Sequence, residues 1–333
     1  MIMNLKKSRE YFAKAFGPNM EGAFSGETPR FAFPPDQCRL IGIKKLFEAE
    51  WVECSQYEAV TSGEGNEKEK IDSAFSSSLQ SLLFFAKVPK QGVKIRFGNG
   101  DECLFHNVVF EYRNKVIGYP SSVDVVLYNE KAICFVESKL LEVVRDSNKD
   151  GKSVVGVSYF REEGVGYHET LGLEIDDLKK LKIKTPQENF LAEVKGSGYK
   201  DQKIEPISNN RFVYSEGIKQ ILSHLIGIAS FTKGESAYQM FEDPLPPEMR
   251  HSFEKHYYLE LINGLPDFDG DKEAAEKLED FQKHFKATKD IITKKSGCPV
   301  DSMDIMTYQT LFMFGDNKKL VNEIVKGYYH FGK

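Results

Sequence analysis

The sequence predicts an α/β fold: a central mixed β-sheet flanked by helices, with a helical C-terminal extension. Three observations predict it. Two adjacent runs, Ser122 to Tyr128 and Ala132 to Leu140, are rich in Val, Ile, Phe and Tyr and are joined by the polar turn Asn129-Glu130-Lys131, the pattern of a β-hairpin. Both runs are nearly continuous in apolar residues (Val123, Val125, Val126 and Leu127; Ile133, Phe135 and Val136), as in central strands covered on both faces. Helical periodicities stand on either side of the hairpin.

In chain order, residues 1–60 read as a helix-containing lead-in, with a Pro- and Phe-rich loop at Thr28 to Pro35 and a helical run from Lys44 to Cys54 around Trp51. A turn at Ser62 to Asn66 then opens a helix. Asn66 and Glu69 have the form of an N-cap and its capping-box partner, and Glu67, Ile71, Phe75, Ser78, Leu82 and Phe85 recur along one face. Strands are expected at Val93 to Phe97 and Leu104 to Arg113, followed by the hairpin. Residues 142–214, with Gly-, Lys- and Asn-rich turns and short strand-like pieces such as Val154 to Phe160, read as an insertion. A helix from Ser215 to Ala229 presents Ile218, Ile221, Leu222, Leu225 and Ala229 on its apolar face, with Gln220 and His224 one turn apart beside it. Residues 236–333 read as helical, over Pro247 to Asn263, Lys272 to Lys295, and Asp304 to Tyr329 with a break at Gly315. The expected organisation is a lead-in (1–60), a core (61–235) interrupted by the insertion, and a helical C-terminal region (236–333).

Composition bounds the function. With 333 residues, 41% of them hydrophobic, the chain can bury a sizeable core. No apolar run approaches the length of a membrane span, and the start MIMNLKKSREYF has no apolar signal region, so a cytoplasmic location is expected. The 5 cysteines are widely spaced, without C-x-x-C, and read as reduced thiols. A net charge of −5 counts against broad affinity for a polyanion, although lysines are concentrated at Lys179, Lys180, Lys182 and Lys184, and again at Lys195, Lys200 and Lys203. Such runs are also what a solvated face looks like. Gly151-Lys152-Ser153 ends like a phosphate-binding loop, but Asp146 stands where its first glycine belongs. Asp267, Asp269 and Asp271 begin like a calcium loop that then fails at Lys272 and Leu278.

The chemistry is concentrated in the hairpin. Asp124 and the triplet Glu137-Ser138-Lys139 lie inside its apolar runs, and burying a carboxylate costs several kcal/mol unless it is paired or holds a metal. A loop from Asn129 to Ala132 sets Asp124 directly opposite Glu137, and period-two alternation puts Glu137 and Lys139 on one face. One patch then holds two carboxylates and an ammonium. On a surface hairpin the same charges would simply pair across strands in water, but the surrounding Val, Ile and Phe argue for burial.

The pattern Asp-x12-Glu-x-Lys on a hairpin resembles the PD-(D/E)XK nuclease superfamily, which has the restriction-endonuclease-like fold. No Pro directly precedes Asp124; the nearest upstream is Pro120. The resemblance spans residues 61–140 and 215–230. It implies that Asp124, Glu137 and the backbone carbonyl of Ser138 hold Mg²⁺, with Mn²⁺ able to substitute, and that Lys139 orients the attacking water and offsets charge on the phosphate. It also implies a further metal-site glutamate on the preceding helix, Glu67 with Glu64 as second choice, and a role for Gln220 at the metal site or nucleic-acid backbone. Either glutamate is equally a first-turn acid favoured by the helix dipole. The activity expected is that of a metal-dependent phosphodiester hydrolase, a DNA endonuclease. The alternative is a non-catalytic binding or scaffold protein that retains the nuclease-like fold, which the acidic net charge favours.

Overall fold

The computed structural model describes residues 52–61, 71, 76–116, 120–139, 216–234, 252–262 and 272–321, with short pieces at 153–154, 170–174, 192–195, 203–206 and 213–214 and single residues at 177, 180, 245 and 249. Helices α1 (Cys54–Thr61), α2 (Ser77–Phe85) and α3 (Val88–Gln91) lead into strands β1 (Val93–Arg96), β2 (Glu102–Phe105), β3 (Asn107–Asn114), β4 (Ser121–Tyr128) and β5 (Ala132–Lys139). Short strands β6 (Ser153–Val154), β7 (Ala192–Lys195), β8 (Lys203–Pro206) and β9 (Val213–Tyr214) follow. The chain continues through α4 (Glu216–Thr232), β10 (Lys255–Ile262), α5 (Lys272–Ile292), β11 (Ser302–Thr307), α6 (Tyr308–Met313) and a 3₁₀ turn, Gly315–Leu320.

The central sheet has 5 strands in the order β11-β10-β5-β4-β3. Strands β3, β4 and β5 form an antiparallel meander, whereas β10 runs parallel to both β5 and β11. A parallel pair needs a crossover, and α5 supplies it between β10 and β11. The sheet is therefore mixed, and helices cover both of its faces, as expected from the sequence.

Asn129 sets the hairpin. Its Oδ1 accepts the N–H groups of Lys131 and Ala132, both at 2.8 Å, and its own N–H donates to the Ala132 carbonyl at 2.9 Å. These bonds close the loop locally, and the Asn129 Nδ2 also donates to the Leu104 carbonyl of β2 at 2.9 Å. The register that follows pairs Tyr128 with Ile133 and Val125 with Val136, as expected.

On one face, Val125, Leu127, Cys134 and Val136 pack with Leu259 and Leu261 against Phe84 and Phe85 of α2 and Tyr308 and Phe312 of α6. The Phe84 ring lies 4.6 Å from Tyr308 and 4.7 Å from Phe312 between centroids, so α2 and α6 are joined by aromatic contact. On the other face, Val126, Ile133, Phe135 and Tyr258 pack with Ile221, Leu225 and Ile228 of α4 and Phe285 of α5. Helix α4 lies close to the sheet: a Cβ at Gly227 would fall 2.6 Å from Cβ of Asn114 on β3.

Several expectations need correction. The C-terminal region is not a helical extension. Pro247 to Asn263 reads as helix in the sequence, but Lys255–Ile262 is strand β10; Asp304 to Tyr329 also reads as helix, but Ser302–Thr307 is strand β11. Two of the 5 sheet strands thus come from beyond residue 235, and the sheet is not contained in 61–235. The segment HYYLELI is buried on both sides, and a continuous apolar run carries no periodicity that separates strand from helix. The expected helix Lys272 to Lys295 is present as α5. The expected strand Leu104 to Arg113 is two strands, since β2 pairs with β1 in its own small sheet while β3 joins the main one. The upstream helix is not continuous from Asn66: Ile71 lies in a turn, and Ser76 is extended and accepts the Leu79 N–H at 3.1 Å, capping a helix that starts at Ser77. The Asn66 cap, the Thr28 to Pro35 loop and most of the lead-in and insertion lie outside the described residues. Cys54, Cys103, Cys134 and Cys298 are free thiols, and no helix among the described residues is long and apolar enough to cross a membrane.

Gly227→Ala is expected to lower stability by about 1–3 kcal/mol, because the obstructing atom belongs to a strand and cannot swing aside. Urea denaturation measures this, and an unchanged midpoint would show that α4 can move off β3 freely.

Candidate functional site

Strand β5 alternates, so Ser138 faces α2 and α6 while Glu137 and Lys139 face α4. Both charged residues are buried, Glu137 being 3% and Lys139 4% exposed. Neither could remain there alone. Lys139 Nζ lies 2.5 Å from Glu137 Oε1, and α4 delivers Gln220 to both of them. The Gln220 Oε1 accepts from Lys139 Nζ at 2.6 Å, and its Nε2 donates to Glu137 Oε1 at 2.5 Å. A side-chain amide suits this place because it can accept from an ammonium and donate to a carboxylate at once. One turn along α4, His224 Nε2 is 3.1 Å from Glu137 Oε2, and its Nδ1 is 2.8 Å from Ser121 Oγ.

Asp124 stands one step beyond the Val125–Val136 pair, so the register carries it opposite Glu137. The ladder ends there. The Ser138 N–H donates to Asp124 Oδ2 at 2.7 Å instead of continuing the strand pairing. From the opposite face, Ser138 Oγ meets the Tyr308 hydroxyl at 2.8 Å. The Glu-Ser-Lys segment is thereby held from α4, from β4 and from α6.

Two further carboxylates share the row. Phe110 pairs with Val125 and Tyr112 with Val123, so Glu111 lies across from Asp124, and it has φ 51°, a left-handed conformation uncommon for any residue but glycine. The inside-outside alternation slips at this point. Phe110 and Val125 pack on the α2 side, whereas Tyr112 and Val123 pack on the α4 side. On the other flank, Glu260 of β10 pairs directly with Glu137; it is 0% exposed, and its Oε1 accepts from the Tyr258 hydroxyl at 2.6 Å. Glu111, Asp124, Glu137 and Glu260 thus occupy one cross-strand row on four neighbouring strands.

Two members of that row escape sequence reasoning. Glu260 carries the signal that singles out Glu137, an acid embedded in an apolar run, but its run reads as helix. Nothing in the sequence around Glu111 marks it. Asp124, Glu137, Lys139 and Gln220 are brought together, with His224 alongside. Glu67 and Glu64 lie outside the described residues. Of the first lysine run, Lys180 lies 3.7 Å from Asp177.

The two opposed acids are driven apart in proton affinity. Burial by itself would raise Glu137, but the Lys139 ammonium and His224 overrule it and hold the carboxyl at about 2. Asp124 is held well above its ordinary 3.8, by burial first, then by the charges of Glu137 and Glu111, against a smaller opposing pull from Lys139 and the Ser138 N–H. Divergent pairs of this kind are common where carboxylates do chemistry.

The Mg²⁺ implied by the resemblance can be tested against these groups. The donors of Asp124, Glu137 and the Ser138 carbonyl are all oxygen, the set a hard divalent cation takes. The repulsion from Glu137 and Glu111, which adds to burial in lifting Asp124, is of the kind a bound cation would relieve. Among the described residues, no three of His, Cys, Asp and Glu are gathered as a metal-holding group. The third protein ligand here would be the Ser138 backbone carbonyl. The residues offer the ion suitable oxygen donors, while Glu137 Oε1 is already met by Lys139 and Gln220. No family model, no curated protein and no solved structure matches the chain.

The signs of the two shifts oppose each other. The lowered Glu137 adds stability above its ordinary 4.5 that is lost as pH falls toward about 2. The raised Asp124 favours the folded state below 3.8, and that advantage is lost as pH rises through its folded value. Asp124→Asn keeps an acceptor for the Ser138 N–H and removes the repulsion, so at pH 7 it is expected to stabilise the fold by on the order of 1 kcal/mol. Urea midpoints across pH read this: the gain should shrink as pH is lowered toward 3.8, and destabilisation at pH 7 would contradict the electrostatic account.

Proposed function

We propose that this chain is a Mg²⁺-dependent phosphodiester hydrolase acting on DNA, with the restriction-endonuclease-like fold that the hairpin motif resembles. The observation that carries this reading is Asp124 set opposite Glu137 beside a buried Lys139 that Gln220 holds in place. Asp124, Glu137 and the Ser138 carbonyl would hold Mg²⁺, which when bound acidifies water and neutralises phosphate charge. Glu137 remains ionised at working pH because Lys139 and His224 face it. Asp124 is anchored through Oδ2 to the Ser138 N–H. Lys139 supplies positive charge against the phosphate oxygens as they gain charge, in a site where burial strengthens every electrostatic contact. Gln220 keeps that ammonium from rotating away.

A second reading is favoured by one observation. Both Glu137 oxygens already face protein groups, Lys139 and Gln220 on one side and His224 on the other, which is what a purely structural ion pair in a scaffold protein requires.

Supercoiled plasmid with Mg²⁺ or Mn²⁺ distinguishes the two. The wild-type chain is expected to nick or linearise the plasmid and to stop on chelation. Asp124→Asn, Glu137→Gln and Lys139→Gln should each lower cleavage by at least about 100-fold, with the folded fraction of each checked by circular dichroism because Glu137 and Lys139 compensate each other's burial. Full activity in any one of them would refute the assignment. In calorimetry, heat from Mn²⁺ binding is expected in the wild type and lost in Asp124→Asn; neither binding nor cleavage at millimolar metal would leave the scaffold reading.

A further inference from the structure

Gln220 and Lys139 meet the same oxygen of Glu137, and that alone would leave the carboxylate free to pivot. The second oxygen, Oε2, faces His224 Nε2 at 3.1 Å, an ion-pair distance whose angle falls short of a hydrogen bond, and neither atom has another hydrogen-bond partner among the described residues. His224 is itself backed by Ser121, whose Oγ lies 2.8 Å from Nδ1. All three residues are buried, with Ser121 3%, His224 2% and Glu137 3% exposed. Resting on the nuclease reading above for its functional consequence, we propose that His224 is a positioning residue which, braced by Ser121, fixes the plane of the Glu137 carboxylate.

The chemistry of the three groups orders the hydrogens. An ionised carboxylate accepts only, so the ring nitrogen facing it must carry the hydrogen. Nδ1 then meets the Ser121 hydroxyl, accepting from it in the neutral ring and donating to it in the imidazolium. A ring nitrogen anchored from behind fixes both the tautomer and the ring orientation, as hydrogen-bonded partners behind a site ligand do elsewhere. The elements explain how these atoms meet. One helical turn separates Gln220 from His224 on α4, so the two side chains reach opposite oxygens of one carboxylate. Ser121 opens β4, the strand that carries Asp124 three residues later. A single strand therefore supplies one acid of the site directly and steadies the other through His224. A purely packing role is the competing explanation, since the His224 ring also lies 6.1 Å from that of Tyr258 between centroids.

Three variants of the full chain separate these roles. His224→Gln retains an N–H at about the reach of Nε2, His224→Leu fills the space without a donor, and Ser121→Ala removes the brace. Nitrogen-edited NMR of the wild-type imidazole is expected to show the Nε2–H tautomer, with the Nδ1 resonance moving in Ser121→Ala. With Mn²⁺ and plasmid, His224→Leu should lose about 10–100-fold in kcat with little change in KM, and His224→Gln should recover most of that loss. An Nδ1–H tautomer, wild-type cleavage by His224→Leu, or no recovery in His224→Gln would overturn the proposal. Should the wild type cleave nothing, the nuclease reading fails separately, and the Glu137 carboxyl carbon shift still decides the matter: it should move in His224→Leu and return in His224→Gln. If His224→Leu does not fold, the wild-type tautomer and the spectra of Ser121→Ala and His224→Gln decide between bracing and packing: an Nδ1–H tautomer, or an Nδ1 resonance unmoved in Ser121→Ala, would leave packing alone.

Discussion

An ionised carboxylate at the centre of a sheet is the constraint around which this molecule is arranged. Glu137 is covered on both sides, and the cost of stripping its water is several kcal/mol unless other groups replace it. The replacement comes from three directions: an ammonium two residues along the same strand, an amide on α4, and an imidazole one turn further along α4. Helix α4 must therefore lie close against the sheet, and the absence of a side chain at Gly227, over Asn114, permits that approach. Packing and charge compensation use the same helix, so neither can be altered without the other.

The hairpin register converts a spacing into a site. Asn129 closes the loop through three local hydrogen bonds, and Asp124 is then carried opposite Glu137 by strand geometry alone. At that position the regular ladder gives way. Asp124 takes the Ser138 N–H for itself, Glu111 adopts a left-handed backbone, and the inside-outside alternation of β3 and β4 slips together. Strained backbone and mutually repelling acids lower stability, and proteins retain them where the arrangement serves another purpose.

The row of Glu111, Asp124, Glu137 and Glu260 also changes what the acidic net charge of the chain implies. Averaged over 333 residues, −5 argues against a polyanionic partner. Part of that charge is not spread over the surface but drawn into this one row, where Glu137 and Glu111 add to burial in lifting Asp124 while Lys139 and His224 hold Glu137 low.

What the sequence determined by itself was local. The strand-turn-strand pattern, the Asn129 loop, the Asp124 and Glu137 register, the shared face of Glu137 and Lys139, and the Gln220 helix all follow from period-two alternation, turn chemistry and helical spacing within a few residues. Tertiary structure decided everything that depended on which segments meet. HYYLELI has no periodicity that separates strand from helix, and only its insertion between β5 and β11 makes it a strand and brings Glu260 beside Glu137. The same holds for Glu111, placed by its pairing with β4, and for Ser121, which lies 103 residues from the His224 it braces. Contacts between residues so far apart leave no trace in local pattern, because burial and register are properties of the assembled sheet and not of any one strand.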